Sequence, residues 1–330
     1  LRLQNEPYNS LFFYSLMEFI HGLANLRRQR KECATTIGNF DGIHLGHQRV
    51  LEQLMKITKH SNLISTVLIF EPQPMEYFNL EAAPSRLTRL REKLQQFSRY
   101  NIDRVVCLKF NQKLANFSAS EFVDNILLGG LATRKIIVGN DFRFAKNREG
   151  DYQYLSKIST QKNFEVFMTD PYIVDGERVS STLIRDALAR GEITTANRYL
   201  GRPYTISGRV VHGDKRGKKI GFPTINIELH RYRSPIAGIF SGYIHGVDNR
   251  VFDAVIYIGS KPVYQGERVV LEAHILDFNS ELYGHHIQVE LISKLRDDAN
   301  ITSEKELIKQ IKRDIDETRL CLKKIEVTNK

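Results

Sequence analysis

The chain changes texture once, and that change limits the folds open to it. Up to about residue 202, short apolar runs alternate with amphipathic stretches. The runs at 33–37, 63–70, 103–108 and 135–138 read as buried strands. Between them, 46–60, 89–100 and 118–128 have helical spacing, and Ser118 followed by Glu121 is a capping-box signal. Strand, helix, strand at this rhythm predicts a Rossmann-like parallel α/β sheet, whose ligands bind beyond the carboxyl ends of the strands. After Gly201-Arg202-Pro203 the runs become strand-like, at 204–211, 238–245, 252–258, 269–276 and 285–292, with helical spacing only at 302–322. That pattern predicts a small antiparallel β-barrel with a C-terminal helix.

Two domains follow, 17–202 and 203–330, with residues 1–16 read as an extension outside the fold. The segment 11–24 is apolar, but Glu18 and His21 interrupt it and no small-x-small site follows, so it is not read as a signal peptide. No stretch approaches the roughly 20 apolar residues of a membrane span. The 330 residues, 42% hydrophobic and 26% charged, exclude a disordered chain, a collagen-like fibre and a small disulfide scaffold. Cys33, Cys107 and Cys321 lie far apart with no CxxC pair, so neither a zinc knuckle nor a secreted framework is expected. A reducing, cytoplasmic setting is the default. The net charge of +10 is spread along the chain without a basic arm, which suits phosphate-bearing substrates better than a polynucleotide. No nucleic-acid or membrane partner is expected, and a weak homo-oligomer is left open.

The most informative stretch of the first domain is Thr36-Ile37-Gly38-Asn39-Phe40-Asp41-Gly42-Ile43-His44-Leu45-Gly46-His47. It follows a buried strand and opens a helix, whose free N–H groups and positive end suit an anion. Its glycines let the backbone turn tightly and approach a ligand. His44 and His47, three apart, share a helix face and can hydrogen-bond phosphate oxygens and offset charge developing in phosphoryl or nucleotidyl transfer. HxxH is also a metal-pair spacing, but further ligands are not evident. Ser181, Thr182 and Arg185 open another helix. Hydroxyls and a guanidinium there make a phosphate clamp, or an ordinary N-cap.

These residues resemble the HxGH nucleotidyltransferase signature as it occurs in prokaryotic FAD synthetases, the bifunctional riboflavin kinase/FMN adenylyltransferases. Further segments are similar, in the family's order. Phe70-Glu71-Pro72-Gln73-Pro74 resembles FxPHP, Arg86-Leu87-Thr88 with Glu92-Lys93 resembles RLT…EK, and Val138 to Phe144 with Arg148-Glu149-Gly150-Asp151 resembles VGxDFRFG…RxGD. Ser180 to Arg185 resembles SSTxIR. The resemblance implies that His44 and His47 are catalytic. It places Gly38, Asn39, Phe40, Asp41, Gly46, Asp141, Arg148, Ser181, Thr182 and Arg185 around ATP. Two positions depart. Gln73 stands for the usual His and cannot carry a proton, and Ala145 stands for a Gly and disfavours a positive φ, so a re-shaped loop is expected there.

The second domain carries a glycine- and lysine-rich loop, 208–226, that fails the Walker A pattern because no hydroxyl residue follows Gly217-Lys218. It is similar to the riboflavin kinase GxVxxGxxxGxxxGFPTAN motif, with Ile225 for the Ala. Glu272-Ala273-His274-Ile275-Leu276-Asp277-Phe278 with Leu282-Tyr283-Gly284 matches ExHILDF…LYG. By that resemblance Thr224 and Asn226 hold Mg²⁺, Glu272 is the general base, and Gly208, His212, Gly213, Lys218, Gly221, Phe222, Pro223 and Arg296 bind ATP or flavin. Hard oxygen donors suit Mg²⁺. Without the motif, Glu272 would read as the polar face of a strand. Tyr257, Lys261 and Val263 replace the Asn, Arg and Thr of NIGxRPT, so a changed flavin-side wall is expected. The implied reactions are phosphorylation of riboflavin to FMN, then adenylylation of FMN to FAD with release of pyrophosphate. ATP, riboflavin and FMN are the substrates. The alternatives are an enzyme with only the adenylyltransferase active, and a basic nucleic-acid-binding protein on the same scaffold.

Overall fold

The computed structural model describes residues 17–26, 31–213, 216–263 and 266–328, so the expectation for 1–16 lies outside the described residues. Among these, the chain forms two compact units: one holds residues up to Pro84 and Thr88–Ser180, the other Ser85–Leu87 and the chain from Ser181 onward.

In the first unit, β-branched and small apolar runs become the centre of a six-stranded parallel sheet. Its strands are β1 (Glu18–His21), β2 (Cys33–Ile37), β3 (Ile64–Glu71), β4 (Arg104–Lys109), β5 (Thr133–Gly139) and β6 (Glu165–Thr169). The order is β1-β4-β3-β2-β5-β6, so strand order reverses at β2 and ligands are expected at the carboxyl ends of β2 and β5. All five residues of β2 are buried, as a two-sided sheet requires. Helices expected at 46–60 and 89–100 are Leu45–Lys59 and Leu90–Arg99. The expected helix at 118–128 begins with the Ser118–Glu121 capping box and widens into a π-helical turn at Val123–Leu128. The edge strand β1 is anchored by charge. Arg104, buried in β4, donates from Nε to Glu18 Oε2 at 2.7 Å.

After a two-stranded ribbon of β7 (Ile173–Val174) and β8 (Glu177–Arg178), the second unit opens with the helices Ser181–Ala189 and Ile193–Leu200. Six antiparallel strands then close a barrel: β9 (Thr205–Val211), β10 (Ile225–Glu228), β11 (Gly238–Val247), β12 (Arg250–Val263), β13 (Gly266–Ile275) and β14 (His286–Arg296). Their order is β10-β13-β12-β11-β14-β9. Along β12 and β13 the residues Ala254, Ile256, Ile258, Leu271, Ala273 and Ile275 fill the interior, so Tyr257 and Glu272 face outward. The C-terminal helix Glu304–Thr328 packs on β11, β12 and β14.

Candidate active sites

The loop between β2 and the helix Leu45–Lys59 turns through three positive-φ residues, Phe40 (48°), Gly42 (82°) and Ile43 (42°). For the fully buried, β-branched Ile43 this is an unfavourable conformation that its surroundings must impose. Asp41 supplies the constraint. Buried at 3% exposure, its Oδ1 accepts the Thr88 amide (2.9 Å) and hydroxyl (3.2 Å), while the Gly42 amide donates to Thr88 Oγ1 (2.8 Å). Asp41 thus holds the loop in shape from behind. Phe40, 2% exposed, is likewise a packing residue, edge-on to Phe97 and in ring contact with His47.

The two histidines come together at the helix start. His44 is the N-cap; its Nδ1 accepts the His47 amide at 3.3 Å, so in the neutral ring the proton sits on Nε2. The rings stack with centroids 3.7 Å apart. Gly46 permits this, since a Cβ there would stand 3.1 Å from the His44 ring. Asn39 is exposed beside them.

Beyond β5, Asp141 pairs with Arg178 at 2.7 Å. Phe144 and Gly150 then exchange hydrogen bonds, and a Cβ at Gly150 would overlap the Phe144 ring. Within Arg148-Glu149-Gly150-Asp151, Glu149 accepts the Ala119 amide and Asp151 caps the helix Tyr152–Ser159, while Arg148 stays exposed at the turn. Ala145 takes φ 64°, ψ −175°, a conformation that glycine alone adopts cheaply. The buried Gln73 keeps the start of the helix Pro74–Phe78, its backbone N–H donating to Glu76 Oε2 at 2.9 Å.

In the second unit Ser181, Thr182 and Arg185 do open a helix, with Thr182 exposed and Arg185 Nε donating to the Ser85 carbonyl at 2.6 Å.

The barrel site is built differently, on strand register. Asn226 of β10 lies opposite Glu272 of β13, and Glu272 lies opposite Tyr257 of β12, giving one row across the outer face. Directly opposite residues share a face at about 5 Å between Cβ atoms. The loop over this row fits closely. A Cβ at Gly213 would overlap the Asn226 amide, one at Gly217 would overlap the Phe222 carbonyl, and Gly221 turns at φ 90°. His274, to which the motif alone gives no role, fixes this loop: its Nδ1 is 2.8 Å from the Pro223 carbonyl and its ring meets Phe222 edge-on. Gly208 instead serves strand packing, since a Cβ there would meet Ile227 and the Glu228 carbonyl. His212 stacks against Tyr283 at 3.9 Å, and Lys218 is exposed on the short helix Arg216–Lys219.

Arg296 is engaged from the far side: Nε and Nη2 donate to both Asp314 oxygens, at 2.9 and 2.8 Å, which holds its pKa above the ordinary arginine value. It ties β14 to the C-terminal helix. The side chains of Lys261 and Val263 lie outside the described ones.

Among the described residues no group of three or more His, Cys, Asp or Glu is arranged to hold a metal ion. Thr224 and Asn226 offer neutral oxygens, which fit Mg²⁺ carried largely by substrate phosphates. No described helix is long and apolar enough to cross a membrane.

Comparison with known proteins bears on both units. A family model described as FAD synthetase matches residues 26–183, and one described as riboflavin kinase matches 200–322. The bifunctional riboflavin kinase/FMN adenylyltransferase of Escherichia coli K12 is 42% identical over 299 residues, 90% of this chain and 96% of the relative. That of Haemophilus influenzae is 39% identical over 300 residues, 91% and 97%. A crystal structure described as a macrolide-efflux protein from Streptococcus pneumoniae matches with TM-score 0.77 at 26% identity, over 92% of this chain and 99% of that one.

Proposed function

The chain belongs to the bifunctional riboflavin kinase/FMN adenylyltransferase family, and from that premise we propose which of its residues carry each half of the work. It converts riboflavin to FMN and FMN to FAD. The residues 17–202 are assigned the adenylyl transfer and 203–330 the phosphoryl transfer.

In the adenylyltransferase, an oxygen of the FMN phosphate attacks the α-phosphorus of ATP and pyrophosphate leaves. His44 and His47 sit at the amino end of a 15-residue helix, where backbone N–H groups and the helix dipole already favour anions. The His44 Nε2 proton points the ring's donor away from the His47 amide, so it serves a phosphate oxygen. The stacked pair lets one imidazole back the other as charge builds on the oxygens. Gly38 and Gly46 make room for the Phe40 and His44 rings and so shape the loop, and Asn39, Arg148, Ser181, Thr182 and Arg185 are assigned to the polyphosphate. Asp41 and Phe40 act through loop shape, and Asp141 through its bond to Arg178. The stacked His44–His47 pair is the observation that carries this half.

In the kinase, Glu272 takes the proton from the terminal ribityl hydroxyl as that oxygen attacks the γ-phosphorus and ADP leaves. Asn226, directly opposite, and Thr224 would hold Mg²⁺. When bound, the ion offsets the charge of the ATP phosphates. Gly213, Gly217 and Gly221 let the loop close over them, and His274 holds Pro223 and hence Thr224 in place. The Asn226–Glu272 register carries this half.

The cysteines fit a reducing, cytoplasmic setting: Cys33 and Cys107 are buried thiols, and burial pushes the Cys33 thiol up, away from reactivity. A chromatographic time course with riboflavin, ATP and Mg²⁺ tests the reading. FMN should rise and then convert to FAD. FAD from supplied FMN, with no FMN from riboflavin, would overturn the kinase half alone.

A further inference from the structure

Tyr257 stands where the family motif has asparagine, and the structure gives its side chain a defined place. It occupies the same outer-face row as Asn226 and Glu272, on the far side of Glu272 from Asn226. The phenol lies along its own strand, over Gly259, where any Cβ would overlap the ring and hydroxyl. At its far end the hydroxyl donates to Asp298 Oδ2 at 2.9 Å, which pins the ring to the segment following β14. The ring is thus held at both ends while the residue stays partly exposed. Burial first, then the Asp298 carboxylate, push the phenol up to about 12, so it remains a neutral hydroxyl donor at any working pH.

In-line phosphoryl transfer puts the nucleotide and the acceptor on opposite sides of the transferred group. With Asn226 on the nucleotide side of Glu272, the acceptor approaches from the Tyr257 side. We propose that Tyr257, pinned by Asp298 over Gly259, is the acceptor-side wall of the kinase site and sets the enzyme's affinity for riboflavin through its ring face. A flat aromatic surface suits a flavin, and its fixed orientation lowers the ordering cost of binding. On this account the substitution replaces one riboflavin contact with another and leaves the kinase active. The proposal rests on Glu272 being the base.

The full-length enzyme provides the test. Tyr257→Ala should raise the riboflavin KM of FMN formation about tenfold, the order expected for one lost aromatic contact. Its kcat and its KM for ATP should stay within about threefold. Tyr257→Phe keeps the ring without the Asp298 bond and should lie between wild type and Tyr257→Ala, with Asp298→Ala matching it. A thermal melt of each purified variant, read against wild type, reports that its barrel is folded. An unchanged riboflavin KM in Tyr257→Ala overturns the proposal, as does a loss confined to kcat, which would make Tyr257 a support for Glu272. Glu272→Gln is measured alongside. Retained kcat there would remove the base assignment, whereas lost kcat with the Tyr257→Ala KM unchanged would remove only this proposal.

Discussion

The two candidate sites, both proposed to hold a polyphosphate still, are built by opposite means. The adenylyltransferase histidines sit on a strained loop whose shape is imposed from behind by a buried carboxylate bonded to Thr88. The kinase residues sit on adjacent barrel strands, where sheet register alone sets Asn226, Glu272 and Tyr257 side by side. A loop gains freedom to wrap phosphates and depends on distant anchors to keep that shape. A strand row takes its spacing from register and relies on glycines to let a covering loop approach. The first site should therefore be vulnerable to changes that touch no substrate, the second chiefly to changes within the row and its loop.

The largest effects should come from the reacting groups and should separate the sites. His44→Ala or His47→Ala is expected to lower kcat of FAD formation by about 10²–10³ and leave FMN formation intact, read by the two product rates. Next is the anchor. Thr88→Val removes the hydroxyl bonded to Asp41 and the Gly42 amide, leaving buried polar groups short of partners. It should cost about 1–3 kcal/mol in urea unfolding and slow FAD formation well before FMN formation. If Thr88→Val unfolds no more easily and makes FAD at the normal rate, the loop does not depend on this anchor and the contrast fails.

In the barrel, Gly213→Ala should displace the Asn226 amide and lower FMN formation at least tenfold without moving Tm by more than a few degrees. A matching fall in Tm would mean that the loop is structural as much as catalytic. The smallest effect is expected at Ala145, whose φ of 64° suits glycine. Ala145→Gly should relieve strain of about 1–3 kcal/mol, less roughly 1 kcal/mol for a more flexible unfolded chain, and raise Tm slightly.

The elements legible in the sequence were those with long or uniform patterns. The apolar runs of β2 to β5 and the 15-residue helix Leu45–Lys59 announce themselves. β1 and β6 do not: charged residues break their apolar pattern, and the Glu18 carboxylate finds its partner in the buried Arg104, 86 residues away. β10 is hidden inside a motif that reads as loop, yet it carries Asn226. The candidate site residues share motifs in the sequence, but their partners within the protein are not legible there. The motifs imply that Asp41 and Arg296 bind ligand, and only the fold shows one also bonded to Thr88, 47 positions on, and the other to Asp314 of the C-terminal helix. Such pairings depend on where the chain returns, which local spacing cannot encode. Ala145 shows the converse limit: local propensity argues for another conformation, yet it holds φ 64° beside the Phe144–Gly150 pairing.

The claim that the two activities belong to separate sets of residues is met most directly by Glu272→Gln, followed by chromatography with riboflavin and, separately, with FMN as the starting flavin. The account predicts FMN formation lowered by about 10²–10⁴ and FAD formation from supplied FMN at the wild-type rate. Equal loss of both products from a folded variant would contradict it.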